Sequence, residues 1–539
     1  MAVVFEEAQA LMVHRIEEGI PRALCLLDKN PVSSSYGCFD RRYWQYKMTD
    51  FPSGMQQELI RPLAWIHARD TKVGGRYGGE RAADMIRGAM TYFARTIHKE
   101  GALDDYFPYE RALGATAYSA TALIDAALIT GILPDETMHA LQVTGRFLAA
   151  SKEAGRLSNH LAIAACALGD LAELTGDHSW MDVSDTLVTR LINEQSSEGW
   201  FIEYEGCDLG YQSVTLEFLA RRHRRLPTSE TKEALQRQCS FLVEFVHPDG
   251  SLGGEYCSRN TYNFYPGGAA IIGGENRDAA AIFAGYLNGI TTGAENHLED
   301  DGVFGHMLSS YTTVAQCKSF DIPPLPEGPP KDGFTAYPES GFYTARSGPV
   351  ILYGNINKGG GFKAFSQGAQ ILSDTGFVGE IGDGTIVFQN KPGISTGSVG
   401  DDVVKVEGHL MRYSSKRLSM IAMIGLRFLA LLFGRFSWFS HAVRRLMQAA
   451  LIYNKDSLDA PFRRTITRSE WGFKVEDMVR PPAGDYFIQL WLASDCVNTH
   501  VVTSDSYQKT NLEPWRVISN EPGPDGFITE TTRLEAKEN

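Results

Sequence analysis

From about residue 79 to 320 the chain repeats apolar residues at three- and four-residue spacing in helix-length segments, separated by short Gly, Pro, Asp or Ser punctuation. Leu157, Leu161, Ala164, Leu168 and Leu171 form one stripe. Leu113, Ala117, Ala120, Ile124 and Ala127 form another, ended by Gly131 and Pro134. An amphipathic helix cannot bury its apolar face alone, so a long succession of such helices must stack as hairpins. The expected architecture is an (α/α) toroid. No strict sequence repeat accompanies it, so the expectation rests on the number of helices.

The pattern breaks at residues 321–341, where six prolines interrupt any helix and suit an extended linker. Beyond it, runs such as GFYTARSGPVILYGNI, FRRTITRSEWGFKVEDMV and DYFIQLWLAS alternate or are β-branched and are spaced by turn residues. They predict an antiparallel β-sandwich. The fold class is therefore α+β and multidomain: residues 1–320 a helical toroid, 321–341 a linker, 342–539 a β-sandwich.

One segment violates the β pattern. Residues 408–455 carry Arg412, Lys416, Arg417, Arg427, Arg435, Arg444, Arg445 and Lys455 and no acidic residue. The apolar run from Met420 to Phe433 is interrupted by Arg427 and is short for a bilayer span. With Phe436, Trp438 and Phe439 between its basic ends, the stretch 412–455 predicts a helical insertion. It suits an anionic membrane surface, a partner subunit, or packing on the protein's own core.

Composition limits the function. A chain of 539 residues with 43% hydrophobic and 22% charged residues buries a large core. A net charge of −14 argues against nucleic-acid binding, and an acidic polymer would need a local basic pocket. The eight cysteines form no C-x-x-C pair and read as reduced, buried thiols. Glu6, Glu7, Glu17 and Glu18 stand where a signal peptide would be basic and then apolar, so a cytoplasmic location is expected. No cofactor is expected. His297 and His306, with Glu295, Glu299, Asp300 and Asp301, match no metal-ligand spacing.

Five clusters could carry chemistry. Residues 33–60 concentrate Tyr43, Trp44, Tyr46 and basic side chains, which suit a sugar groove or the cap of a helical barrel. Arg111, before a helix, suits a two-pronged grip on a carboxylate or a pairing with Glu110. Asn159 and His160 open a helix that Ser158 or Asn159 would cap. His160 faces inward as a core residue or as a donor at the toroid mouth. Tyr211 shares an inward face with Val214, Thr215 and Phe218, after a polar and aromatic loop containing Trp200, Glu203 and Tyr204. Finally Glu255, Tyr256, Arg259, Asn260 and Tyr262 lie between glycine pairs in an interhelical loop, where ligand contacts concentrate.

The Asn159–His160 pair, followed about fifty residues later by the loop leading to Tyr211, resembles the helical domain of the heparinase II/III-like polysaccharide lyases and related alginate lyases. The resemblance implies β-elimination on a uronic-acid-containing glycan, placed in exopolysaccharide metabolism. Asn159 and His160 would neutralise the uronate carboxylate. Tyr211 would be the base, with Arg111 or Arg259 supplying the cation that favours its ionised form. Two features depart from the family: Gln212 follows Tyr211 where histidine is common, and the stretch 357–384 lacks the sandwich histidines, leaving Lys358, Lys363 and Asp374. A uronate C5-epimerase, or a glycan-binding scaffold subunit of a membrane synthesis complex, shares these features.

Overall fold

Among the described residues, thirteen α-helices precede the first strand: α1 (Phe5–Leu26), α2 (Arg41–Trp44), α3 (Ile60–Val73), α4 (Glu80–Thr96), α5 (Leu113–Thr130), α6 (Asp135–Ala150), α7 (Ser158–Thr175), α8 (Ser179–Asn193), α9 (Leu209–Arg225), α10 (Ser229–Leu242), α11 (Gly267–Ile272), α12 (Arg277–Thr292) and α13 (Phe304–Ala315). The computed structural model describes residues 4–150, 156–204, 206–295, 303–325, 328–413, 419–451, 456–496, 504 and 514–535.

α3, α5, α7, α9, α11 and α13 each pack on the next, and α13 returns to α3, closing an inner ring. α4, α6, α8, α10 and α12 lie outside it, while α1 packs on α13 and α3. The ring explains the composition of its members. α5 is apolar and long enough to cross a membrane, yet 83% of it is buried inside the protein, because an inner helix meets neighbours on all sides. Gly131 and Gly176 end α5 and α7 in the left-handed conformation that favours glycine. The toroid's charges are also internal: Arg61 donates to Asp125 at 2.8 Å and Arg221 to the same carboxylate at 2.5 Å.

The C-terminal part is antiparallel. A five-stranded sheet runs β1 (Gly333–Tyr337), β2 (Phe342–Ser347), β3 (Val350–Asn355), β4 (Phe362–Ser366), β5 (Ala369–Asp374) in that order. The second sheet contains β6 (Gly376–Ile381), β7 (Ile386–Phe388), β8 (Ser395–Val399), β9 (Val403–Arg412), β10 (Ser457–Ser469), β11 (Gly472–Val479), β12 (Phe487–Ala493), β13 (Arg516–Val517) and β14 (Ile528–Glu535). Its order is β13-β12-β6-β7-β9-β10-β11-β14, with β8 also paired to β9. The sheets share one apolar core, in which Tyr343, Leu352 and Phe362 of the first meet Val404, Phe462 and Phe473 of the second. Alternation along β10 and β11 matches one buried face. β1 lies within the 321–341 segment expected as a linker.

Between β9 and β10 the insertion forms α14 (Met420–Phe433) and α15 (Ser437–Leu451). Six cysteines are buried as expected, whereas Cys25 is exposed and Cys317 is half-buried.

Candidate functional site

The loops that lead into the inner helices meet at one end of the ring. Leu157, before α7, bridges Glu203, before α9, in a short antiparallel pair. This fold-back brings Asn159 and Glu203 together. Glu203 accepts from the Asn159 backbone N–H at 3.0 Å and from its Nδ2 at 2.7 Å. The cap differs from expectation: Leu157 holds the N-cap position and the Asn159 side chain goes to Glu203.

α9 is capped by Asp208, which accepts from the Tyr211 N–H at 3.1 Å. The other carboxylate oxygen of Asp208 accepts from the Arg259 backbone N–H at 2.8 Å. One residue thus fixes Tyr211 and Arg259 relative to each other. The Arg259 guanidinium lies 3.6 Å from the Tyr211 ring centroid and 4.6 Å from that of Tyr204, and its Nη1 is 3.0 Å from Glu203. His160 completes the group from the first turn of α7. Its ring crowds Gly114 at the start of α5, where an added Cβ would stand 2.6 Å from Nε2.

Two sources of positive charge lie at this end of the ring, the helix N-termini and Arg259, beside the buried carboxylates of Glu203 and Asp208. The N-termini of α5, α7 and α9 converge there, each carrying partial positive charge. Burial works against the Arg259 charge, but Tyr211, Tyr204, Glu203 and Asp208 more than offset it and hold its pKa above the ordinary value. Burial raises the Glu203 carboxyl, with Arg259 and the Asn159 hydrogen bonds opposing it. Among the described residues, the Asn159 Oδ1 and Arg259 Nε are buried without a hydrogen-bond partner, a costly arrangement that a ligand with a donor for the first and an acceptor for the second would relieve. Of the six non-glycine residues with positive φ among the described residues, Tyr109, Arg111, Tyr204 and Asn260 lie in these loops. Such strain collects where surrounding structure holds a site in place.

The remaining expected residues divide by what they touch. Arg111 Nε pairs with Glu100 at 2.6 Å rather than with Glu110, and its Nη1 donates to the Gly434 carbonyl at 2.8 Å, between α14 and α15. Trp200 Nε1 donates to Glu198, whose carboxylate also accepts from the backbone N–H groups of Glu339 and Ser340. Glu255, Tyr256, Asn260 and Tyr262 belong to the junction with the sheets. Lys363 is 3.4 Å from Glu255 and 4.4 Å from the Tyr262 ring centroid. Tyr256 OH meets His247 Nε2 at 2.8 Å. Lys358 reaches the carbonyls of Glu255 and Cys257 and the Asn260 side chain. Three acceptors use all three donors of an ammonium group. Asp374 accepts from Arg464 at 2.7 Å inside the sheets. Trp44 Nε1 donates to the Leu26 carbonyl at 2.7 Å, a packing contact at the end of α1.

Beneath Tyr211 lies a second polar layer, of which the sequence singled out only His306, weighed as a metal ligand and set aside on its spacing. His306 pairs with Glu58 and stacks on Tyr118, ring centroids 4.1 Å apart, with Tyr265 edge-on. Burial pushes the Tyr118 and Tyr265 phenols well above the ordinary range. His306 and Glu58 are separated by 248 positions, so no local motif announces them. Among the described residues, no group of three or more His, Cys, Asp or Glu is placed to hold a metal ion. His297, Glu299, Asp300 and Asp301 lie outside the described residues.

No protein-family model and no curated protein matches the sequence. Solved structures do match. Chondroitin AC lyase from Streptomyces coelicolor A3, in complex with chondroitin sulphate, superposes with a TM-score of 0.55 at 11% identity, covering 90% of this chain and 68% of that one. Xanthan lyase from Paenibacillus gives 0.52 at 10% identity, covering 90% of this chain but 46% of its own. Heparan sulfate lyase HepC from Pedobacter heparinus matches with a TM-score of 0.38 at 10% identity, covering 88% of this chain and 70% of that one. The chain has the α/α toroid and antiparallel β-sheet fold of polysaccharide lyases.

Proposed function

We propose that the protein is a polysaccharide lyase acting by β-elimination on a uronic-acid-containing glycan. The observation that carries this reading is the Arg259 guanidinium seated on the Tyr211 ring beside Asn159 and His160, at the converging ends of the inner helices. A free tyrosine phenol ionises near pH 10, and a cation within a few ångströms favours the phenolate.

In the proposed reaction the uronate carboxylate lies toward His160 and Asn159, at the helix N-termini. Neutralising it acidifies the adjacent C5–H. The Tyr211 phenolate takes that proton, the C5 electron pair forms the C4–C5 double bond, and the C4–O bond breaks. The leaving oxygen takes a proton from the Tyr211 hydroxyl, which restores the phenolate. Glu203 orients Asn159 through two hydrogen bonds and balances Arg259. No cofactor enters these steps.

The test is incubation with chondroitin, xanthan and alginate while the ultraviolet absorbance of the unsaturated uronate is followed. Growth of that band with wild type, and its loss in Tyr211→Phe with the fold intact, supports the reading. Solvent deuterium at C5 without chain cleavage would assign epimerase chemistry instead. Glycan binding with neither reaction would assign a scaffold.

A further inference from the structure

The α14–α15 hairpin is not accounted for by the cleft chemistry. A helix that is apolar all round belongs in a protein core or in lipid. α14 is apolar at every position except Gly425 and Arg427, yet only Ala430 is buried. Twelve large apolar side chains between Met420 and Leu446 are exposed, with Ile421 and Leu431 each at 80% and Trp438 at 57%. Such a patch far exceeds the scattered apolar residues of an ordinary surface. Arg427 turns toward the protein instead, 3.1 Å from Asp50 and over the Phe51 ring.

Charge selects the occupant. Residues 408–455 hold eight Lys or Arg and no Asp or Glu in a chain of net charge −14. A twofold contact with a second copy would set this basic patch against itself. At 14 residues α14 is about 21 Å long, short of the roughly 30 Å hydrocarbon core. We propose that α14 and α15 form a peripheral anchor whose apolar side chains enter the interface of an anionic phospholipid membrane, with the exposed Arg435 and Arg445 on its headgroups.

The anchor is fixed to the cleft. Arg111 donates to the Gly434 carbonyl, and Arg444 donates to the carbonyls of Glu110 and Arg111, each at 3.2 Å. Binding therefore holds the mouth of the toroid near the bilayer. This inference rests on exposure and charge and stands apart from the lyase reading.

The full chain is pelleted with vesicles of phosphatidylcholine alone or mixed with phosphatidylglycerol. The expected result is pelleting only with the anionic vesicles, lost when salt shortens the Debye length to about 3 Å. The Ile421→Asp/Leu431→Asp variant should lower partitioning at least about tenfold, with an unchanged thermal midpoint because both positions are exposed. Equal recovery in the supernatant with and without vesicles overturns the proposal. So does a variant that pellets like wild type, or a stable dimer by light scattering that the variant dissolves without any vesicle binding.

Discussion

Arg259 lies over the face of Tyr211 at 3.6 Å, and both are held by the single carboxylate of Asp208. The guanidinium therefore serves Tyr211 and Glu203 at once. Arg259→Lys keeps the charge but loses the flat stacking surface. On the proposed reading it shifts the acidic limb of the kcat/KM pH profile upward and lowers activity by roughly 10²-fold, within the range of acid–base effects. Arg259→Met leaves the buried Glu203 uncompensated and costs about 3 kcal/mol of stability. Denaturant titration beside the pH profile separates the two effects.

His160 can be displaced without being removed. An alanine at Gly114 places its Cβ 2.6 Å from His160 Nε2, and the half-buried ring must swing away. Gly114→Ala is expected to leave stability within about 1 kcal/mol, since alanine favours the helix. It is expected to raise KM for an acidic glycan several-fold with a smaller change in kcat. Unchanged KM would remove His160 from substrate binding.

Glu110 offers a pH signature. Burial, reinforced by Asp105, pushes its carboxyl up to about 7 from 4.5. The folded state thus holds a proton that the unfolded chain releases above about 4.5, and stability falls as pH rises toward and through about 7. Glu110→Gln keeps an acceptor for the Asp105 and Tyr106 N–H groups and removes the charge. Its stability gain is expected to be near zero at pH 4 and about 3 kcal/mol at pH 8. Denaturant midpoints across that range check it.

Lys358 ties the Arg259 loop to the sheets. Lys358→Met removes the ammonium donor from the carbonyls of Glu255 and Cys257 and from the Asn260 side chain, and the Glu255 carbonyl keeps only Asn390 Nδ2 at 3.3 Å. The expected cost is about 3 kcal/mol. Limited proteolysis should then cut within residues 247–266 before the helices α5 and α7.

The features legible from residue spacing were periodic and local. Spacing in α5 and α7 announced helices, the proline segment marked the change of pattern, and the strands β2, β3, β10, β11 and β12 fell in the runs that alternate. Tyr211 was legible as a candidate through the resemblance to polysaccharide lyases, and Arg259 because it stands in a loop whose polar, aromatic and flexible residues are poorly explained by packing. Which of those candidates meet depends on how the ring closes. Arg111, read as a grip on a carboxylate ligand or a partner of Glu110, pairs with Glu100 and reaches the insertion. Glu203 faces Asn159 across 44 positions, and His306 faces Glu58 across 248. Closure of the helical ring sets those encounters. Helical spacing fixes which face of a helix turns inward, but it carries no information about which distant loop arrives there. The insertion shows the same division: its basic, apolar character is written in residues 408–455, while the exposure of α14 follows from how little of the fold lies against it.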